Sequence, residues 1–221
     1  MLILLPLLFF AALCYGVARQ LAMPRGWLGR RVMARAMNEG NKKLLDAALD
    51  TLQPTSGEAV VDVGFGGAYA IDQLRVHVAP ARPTGVEISD AMIDAGRARW
   101  GDQVALHSAD VTAMPLEDAS QDAVLSINTT YFWSDPQAAL REIRRVLRPA
   151  GRLILGVQPR GMMRLSPISW FGFRLYSISA LEELLRQNGF VVRNRPGVNT
   201  EWVFLATVAV PPEDRTAAYP K

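Results

Sequence analysis

The sequence is poor in the residues that build metal centres and disulfide frameworks. It contains one cysteine, Cys14, and two histidines, His77 and His107, among 221 residues. A single cysteine excludes an intrachain disulfide and a cysteine-rich zinc site. Neither histidine belongs to a cluster with the spacing of metal ligands. We therefore expect no metal ion in the functional site.

An excess of charge of one sign is also missing. The chain has 24 basic and 21 acidic side chains, which leaves a net charge of +3. A dedicated nucleic-acid-binding domain carries a basic stripe, so we expect no nucleic-acid partner. Half of the residues are hydrophobic, enough for one domain with a sizeable core plus appendages.

The first 18 residues contain no charged side chain and are rich in Leu and Phe. A helix of about 18 residues spans roughly 27 Å, close to the thickness of a bilayer's hydrocarbon core. We interpret residues 1–22 as an uncleaved membrane anchor. A buried or peripheral helix is one alternative. A cleaved signal peptide is the other, although no basic residue precedes the apolar run.

Arginines follow this run, and the positive-inside rule then places the remainder of the chain in the cytoplasm. They are Arg19, Arg25, Arg30, Arg31 and Arg35. Apolar residues recur between them at nearly helical spacing, so we predict a basic amphipathic helix over residues 23–40. It either lies on an anionic membrane surface or caps the folded core. Asn38–Asn41 interrupts the pattern, and Lys42–Leu52 predicts a separate helix.

Strand and helix patterns alternate over residues 41–210, which indicates a parallel sheet with helices on both faces. Residues 211–221 are polar and contain proline, so we expect a flexible tail there. The predicted strands are Ala59–Asp62, Thr84–Ser89, the strand that ends at His107–Val111, Asp122–Asn128, Phe190–Arg193 and Trp202–Val210. The predicted helices are Tyr69–Val78, Ala91–Trp100, Pro136–Leu147 and Ala180–Asn188.

The most informative motif is a buried strand that ends in an acid and continues into a glycine-rich turn. Ala59–Tyr69 reads A-V-V-D-V-G-F-G-G-A-Y. Glycines allow a close approach of the backbone to a ligand, and the following helix offers free N–H groups. Asp62 next to this turn suits a ligand with a cationic amino group and a carboxylate. A dinucleotide fingerprint would have glycine where Tyr69 stands.

This segment resembles the acid-x-Gly-x-Gly-x-Gly motif of class I S-adenosylmethionine-dependent methyltransferases, with Ala68 at the last glycine position. Glu87 lies at about the distance downstream where α/β nucleotide sites place a ribose-binding carboxylate. Arg145–Leu153 reads R-V-L-R-P-A-G-R-L and resembles the methyltransferase type 11 enzymes, which more often have glycine in place of Ala150. The resemblance extends roughly from Leu44 to Val210.

The resemblance implies an α/β fold with a seven-stranded, mostly parallel sheet, the Rossmann-like methyltransferase fold, here preceded by one transmembrane helix. It also implies S-adenosylmethionine as the cofactor. Gly64 and Gly66 would approach its methionine half, and Glu87 would accept hydrogen bonds from the ribose hydroxyls. The implied cofactor-binding residues are Asp62, Gly64, Gly66, Glu87, Ile88, Asp110, Val111 and Asn128.

Methyl transfer from a sulfonium is an in-line displacement that needs alignment and the exclusion of water. A general base helps only when the acceptor is a hydroxyl or a protonated amine. We therefore expect a cofactor cradle beside an acceptor pocket rather than a catalytic triad, and no catalytic residue is assigned. Tyr131, Trp133 and Tyr69 are the candidate acceptor-site residues, and a purely structural role is the alternative for each. Asn128–Tyr131 lacks both prolines of the Asn-Pro-Pro-Tyr motif of amino-methylating enzymes.

The segment from Gln158 to Ile178 is rich in Met, Leu and aromatic residues, and its prolines and glycines interrupt regular helix. It stands where these enzymes insert a substrate lid, and its apolar side chains suit a lipophilic acceptor or the bilayer. A loop folded back on the core is the alternative.

We predict methyl transfer to a small, lipophilic acceptor by a membrane protein. A catalytically inactive cofactor-binding or regulatory protein is the alternative, and a nicotinamide-dependent oxidoreductase is disfavoured. The sequence identifies neither the acceptor, nor the atom methylated, nor the oligomeric state.

Overall fold

One seven-stranded sheet organises the domain in the computed structural model, which describes residues 4–79, 81–196 and 201–209. The strand order is β3-β2-β1-β4-β5-β7-β6. The strands are β1 (Val60–Val63), β2 (Thr84–Glu87), β3 (Ala105–Ser108), β4 (Gln121–Ile127), β5 (Leu147–Val157), β6 (Phe190–Pro196) and β7 (Trp202–Val208). Strands β1 to β5 are parallel to one another, and β7 is antiparallel to both β5 and β6. The predicted mostly parallel sheet is thereby confirmed.

Helices cover both faces of this sheet, as the alternating pattern predicts. They are α1 (Leu4–Ala22), α2 (Ala34–Leu52), α3 (Tyr69–His77), α4 (Asp90–Trp100), α5 (Pro136–Val146), α6 (Arg160–Met163) and α7 (Ile178–Gln187), with a π-helical turn at Leu28–Met33. Side-chain caps define several starts. Asp135 accepts hydrogen bonds from the backbone N–H groups of Gln137 and Ala138 at the start of α5, where Pro136 lacks an N–H.

The core consists of two apolar layers, one on each face of the sheet. Strand β4 contributes to both, because successive side chains of a strand point to opposite faces. Val124 packs with residues of α5 and α7, whereas Ala123 and Leu125 pack with residues of α2 and α3. The central strands are thus buried on both sides, and ligands can reach the sheet at the ends of its strands.

Helix α2 runs without interruption from Ala34 to Leu52, so the predicted break at Asn38–Asn41 is wrong. Tertiary contacts override the low helix propensity of this stretch. Asn38 donates from Nδ2 to the carbonyl oxygen of Gly67 (2.6 Å), and its Oδ1 accepts from the N–H of Tyr69 (3.3 Å). The first turns of α2 therefore cap the glycine turn, while Leu44, Ala48 and Leu52 anchor its second half in the core.

Helix α1 leans on the domain through its C-terminal half and exposes most of the remainder. Cys14 and Ala18 are buried, and the rings of Tyr15 and Phe171 meet edge to face at 6.0 Å. Within the described ranges, Leu5–Ala22 is the one helical stretch long and apolar enough to cross a membrane, with 11% of it buried. The predicted tail at 211–221 and the end of the predicted last strand at Val210 lie outside the described residues.

Candidate active site

A cavity of about 480 Å³ lies at the carboxyl ends of β1, β2 and β4. This is the edge at which open α/β sheets bind their ligands. The structure brings all eight predicted cofactor-binding residues together around it: Asp62, Gly64, Gly66, Glu87, Ile88, Asp110, Val111 and Asn128. These residues lie at the ends of four strands, β1 to β4, and in the turns that follow, so separate sequence motifs converge on one site.

The glycine turn after β1 adopts backbone geometry that few other residues allow. Gly64 and Gly66 have φ angles of +72° and +46°, in the left-handed region. A Cβ atom on Gly64 would lie 2.5 Å from Cγ2 of Thr129. Ala68 also has a positive φ of 77°, at the position where the motif usually has glycine. The turn therefore keeps its shape in spite of this departure.

Glu87 supports the turn directly. Its Oε2 accepts the N–H of Gly66 at 3.1 Å, and its Oε1 accepts the N–H of Ser89 at 3.0 Å. Burial raises the pKa of Glu87, and the N–H groups of Ser89, Gly66 and Ile88 act in the opposite direction by stabilising the ionised form. Glu87 is thus a buried carboxylate with its own backbone donors.

Asp62 has no such support. It is 3% exposed, and no described residue donates a hydrogen bond to its carboxyl group. Burial, together with the negative charge of Glu87, raises the pKa of Asp62 to about 8. An unpartnered buried carboxyl is costly unless a cation or a donor reaches it. The residue therefore fits the amino group of a ligand lying against the glycine turn.

The opposite side of the cavity has the composition expected around an adenine ring. Ile88 is 42% exposed and borders the cavity, and Val111 lines it from a buried position. Asp110 accepts two hydrogen bonds at Oδ1 from Thr112, from its N–H at 2.9 Å and from Oγ1 at 2.7 Å. These bonds fix the carboxyl group and leave Oδ2 without a partner among the described residues.

A polar network closes the cavity next to Asn128. The hydroxyl of Tyr131 accepts the N–H of Gln158 at 2.6 Å and lies 3.0 Å from Oδ1 of Asn128. Nδ2 of Asn128 donates to Oδ1 of Asn41 on α2 at 3.0 Å. Burial raises the pKa of Tyr131. Its neutral hydroxyl therefore joins three chain segments, which favours a structural role within the site.

Aromatic and sulfur-containing side chains form the remaining wall. Trp133 and Phe132 line the cavity beside Tyr131, and Phe132 packs against Phe173 with ring centroids 4.6 Å apart. The segment from Gln158 to Phe173 contributes further lining residues, namely Met162, Met163, Ser166, Ile168 and Ser169. The segment expected to be a lid therefore covers the cavity and packs onto the core in the same arrangement.

Tyr69, a predicted acceptor-site residue, lies outside the cavity. It starts α3, but its hydroxyl donates to Oδ1 of Asp46 at 2.6 Å and lies 3.0 Å from Nζ of Lys42. Both partners belong to α2, and Tyr69 is not among the described residues that line the cavity. Because α2 packs over the start of α3, it draws the phenol away from the site.

The sequence motifs missed the contribution of the N-terminal helices. Met37, Asn38, Asn41 and Leu45 of α2 line the cavity, as does Leu21–Pro24 after the apolar run. Gly67 is the one residue in the motif that indicates this contact with α2, because a Cβ atom there would lie 2.3 Å from the carbonyl oxygen of Ala34. The region 23–40 therefore packs against the core beside the cavity. In the described part of the chain, no group of three His, Cys, Asp or Glu residues could hold a metal ion.

Comparison with known proteins agrees with this geometry. Residues 61–155 match the family model described as a methyltransferase domain. The chain is 32% identical over 152 residues to O-methyltransferase cnsE of Penicillium expansum, covering 64% of this chain and 55% of that protein. It is 31% identical over 126 residues to 27-O-demethylrifamycin SV methyltransferase of Amycolatopsis mediterranei, covering 54% and 46%. The chain thus spans about half the length of these curated relatives.

The fold has close counterparts among solved structures. A SAM-dependent methyltransferase from Aquifex aeolicus superposes with a TM-score of 0.69 at 18% sequence identity, over 80% of this chain and 97% of that one. The structural match supports the fold, and the matched domain with its strand-end motifs supports the cofactor. The chain therefore contains a methyltransferase domain over residues 61–155, and the domain match, the relatives and the fold together support a class I S-adenosylmethionine-dependent methyltransferase.

Proposed function

We propose that this protein transfers a methyl group from S-adenosylmethionine to a small, neutral, lipophilic acceptor bound beside Tyr131 and Trp133. The observation that carries the proposal is the buried, unpartnered carboxyl of Asp62 beside the glycine turn. A cation would stabilise this carboxyl group, which lies where the motif binds the methionine half of the cofactor. When bound, S-adenosylmethionine supplies a methyl group activated by a sulfonium.

The protein's own groups would hold this cofactor along the strand ends. Asp62 would pair with its amino group, and the N–H groups of the glycine turn would lie near its carboxylate. Glu87 would accept the ribose hydroxyls, while Ile88 and Val111 would pack on the adenine, with Asp110 at its amino group. Asn128 would offer its backbone carbonyl next to the sulfonium.

The lining of the cavity supports a neutral acceptor. Its titratable side chains, among the described residues, are the three carboxyls on the cofactor side and Tyr131. Neither Lys, Arg nor His faces the described lining, so an anionic acceptor would lack a charged partner. Aromatic and Met side chains from Phe132, Trp133, Met162 and Phe173 would instead surround an apolar molecule and exclude water. One of the two curated relatives is named an O-methyltransferase and the other a 27-O-demethylrifamycin SV methyltransferase, which supports transfer to an acceptor oxygen.

The proposal includes attachment to a membrane. Residues 1–22 would form a single-pass anchor, residues 23–40 a basic juxtamembrane segment and residues 41–210 the catalytic domain in the cytoplasm, followed by the tail at 211–221. The length and composition of Leu5–Ala22 support the anchor. Retention of the full chain in the membrane pellet after a carbonate wash would support this topology, and release into the supernatant would contradict it.

Cofactor binding is tested first, with the full chain in detergent. Calorimetry should detect binding of S-adenosylhomocysteine, the demethylated product. Glu87→Ala should weaken it by about 1–3 kcal/mol, since it removes an acceptor from buried N–H groups and from the ribose. Glu183→Ala changes an exposed glutamate on α7 and serves as the matched control. Tight binding of NADH without binding of S-adenosylhomocysteine would refute the assignment.

Methyl transfer and the acceptor class are tested together. The enzyme is incubated with S-adenosylmethionine labelled in its methyl group and a lysate of its own organism. We expect the label in the organic-soluble, small-molecule fraction. Label in protein or nucleic acid would contradict the acceptor class, and cofactor binding without any transfer would favour the inactive, regulatory alternative.

A further inference from the structure

Exposed apolar side chains are concentrated in two segments of the domain. Outside α1, nine large hydrophobic side chains are exposed in the described part of the molecule. Six of them belong to residues 24–35 or 160–174, namely Trp27, Leu28, Val32, Met162, Leu165 and Trp170. Leu165 and Trp170 are 78% and 69% exposed. Side chains of this kind in one region mark a contact surface rather than random exposure.

The charges in these two segments have one sign. Residues 19–37 and 158–176 contain eight arginines and no Asp or Glu: Arg19, Arg25, Arg30, Arg31, Arg35, Arg160, Arg164 and Arg174. The chain has 24 basic residues, so 16 remain elsewhere, against 21 acidic residues. The small net charge of the whole protein therefore conceals a cationic face and an anionic remainder.

Both segments border the cavity. Met23 and Pro24 line it on one side, and Met162 and Ser166 line it on the other. Met162 is also 53% exposed, so one side chain belongs to the cavity wall and to the surface. Arg25 and Phe171 share a second hollow, which joins the two segments. The apolar, cationic surface thus surrounds the acceptor side of the cavity.

Helix α1 connects this surface to a bilayer. It contacts Pro167–Trp170, and its Tyr15 packs on Phe171. Tyr15 lies seven residues before Ala22, the end of α1, which corresponds to about 10 Å along a helix. If α1 crosses the membrane, the segment packed against Tyr15 is carried into the boundary between headgroups and acyl chains, the depth at which amphipathic elements lie.

We propose that residues 24–35 and 160–174 form a docking face that lies in the interface of an anionic bilayer, with Trp27 and Trp170 at the headgroup level. The arginines bind anionic headgroups, each contributing about fivefold to docking, and the apolar side chains enter the acyl boundary. The docking face rests on the proposed anchor but not on methyl transfer. Entry of the acceptor from the lipid phase past Met162 follows if the proposed reaction is correct.

Tryptophan fluorescence tests the docking face with the full chain in vesicles. The vesicles contain phosphatidylcholine with about one third phosphatidylglycerol, and lipids brominated near the glycerol end of the acyl chains act as quenchers. We expect quenching that W170F and W27F each reduce and that W100F, at a buried position on α4, leaves unchanged. Quenching of Trp170 by aqueous iodide instead would overturn the proposal. Shielding of Trp170 from both quenchers would assign the surface to a protein partner and would also overturn it.

Charge-reversal variants test the choice of lipid. Arg30→Glu with Arg31→Glu should lower the docked fraction of the anchored protein, with a change of at least 25-fold in the docking equilibrium, because each arginine contributes about fivefold. Arg141→Glu with Arg193→Glu, at exposed positions on α5 and β6, is the matched control and should behave as the unaltered protein. Equal bromolipid quenching in pure phosphatidylcholine would contradict the anionic requirement. A carbonate wash on the same samples reports α1 insertion separately, and S-adenosylhomocysteine binding reports the cofactor site.

Discussion

Binding of the cofactor should expel a proton from Asp62. The pKa of this carboxyl is raised to about 8 by burial and by the charge of Glu87. At pH 7 about nine tenths of the Asp62 side chains are therefore protonated in the ligand-free protein. Burial raises the pKa of Glu87 as well, and the backbone N–H groups that bind its carboxylate act in the opposite direction. An amino group placed beside Asp62 favours the ionised form, so about 0.9 proton should leave for each ligand bound at pH 7.

The same ionisation sets the pH dependence of affinity. Below pH 8, the free energy needed to deprotonate Asp62 falls by about 1.4 kcal/mol for each unit by which the pH rises. The affinity for S-adenosylhomocysteine should therefore rise about tenfold between pH 6 and pH 7. Calorimetric titrations in phosphate and in Tris at pH 7 measure the proton release, because the observed enthalpy then depends on the ionisation enthalpy of the buffer.

Two variants separate Asp62 from other sources of protons. Asp62→Asn should abolish most of the proton release and flatten the affinity between pH 6 and pH 7.5. Asp94→Asn, at an exposed position on α4, should preserve both. Tight binding without any dependence on the buffer in the unaltered protein would refute the reasoning, as would proton release that persists in Asp62→Asn.

The stability of the ligand-free protein should fall as the pH rises, whereas the affinity for the ligand rises. In the unfolded chain Asp62 has an ordinary pKa near 3.9, so between about pH 4 and pH 8 the folded state binds more protons than the unfolded state. The free energy of unfolding therefore falls as pH rises through this window, by about 4 kcal/mol at pH 7. Asp62→Asn should remove this penalty, raising the thermal midpoint of the ligand-free protein at pH 7 and leaving it nearly unchanged at pH 4.

Two further pairs of substitutions test the backbone strain at Ala150 and the hydrogen bonds of Tyr131. Ala150 has a φ of 61°, a geometry that costs a residue with a Cβ about 1–2 kcal/mol, so Ala150→Gly should stabilise the protein by up to about 1 kcal/mol after the added flexibility of the unfolded chain. Ala138→Gly, inside α5, should instead destabilise it by about 1 kcal/mol, and equal losses in thermal unfolding for the two variants would contradict the strain argument. Tyr131→Phe leaves the N–H of Gln158 without its partner and should cost about 1–3 kcal/mol of stability. Tyr69→Phe should preserve the affinity for S-adenosylhomocysteine, and a loss of affinity as large as that of Glu87→Ala would show that Tyr69 does reach the site.

Local motifs predicted the features that local chemistry determines. Asp62, Gly64 and Glu87 could be placed at strand ends because a buried strand, an acid and a glycine turn are read from neighbouring residues. Parallel strands then bring such ends to one edge of the sheet, and all eight predicted positions meet there. The number of strands, seven, followed from the family resemblance rather than from the residues alone.

The features that the sequence motifs missed depend on contacts between residues far apart in the sequence. Asn38 lies in a stretch with weak helix propensity, and only its hydrogen bonds to Gly67 and Tyr69, about 30 residues away, explain the unbroken α2. The direction of the Tyr69 phenol likewise depends on Asp46, which belongs to another helix. No periodicity in the sequence around these residues contains that information.

The position of β7 in the sheet has a consequence for biosynthesis. Strand β7 pairs with β5 on one side and β6 on the other, although it follows both of them along the chain. The ribosome adds 51 residues between the end of β5 at Val157 and the end of β7 at Val208, which takes roughly 3–10 s. During that interval the edge of β5 exposes unpaired backbone groups, which can recruit strands from other chains. Polypeptides that end before Trp202 should therefore aggregate, and chaperone binding during translation should protect this edge until the last strand arrives.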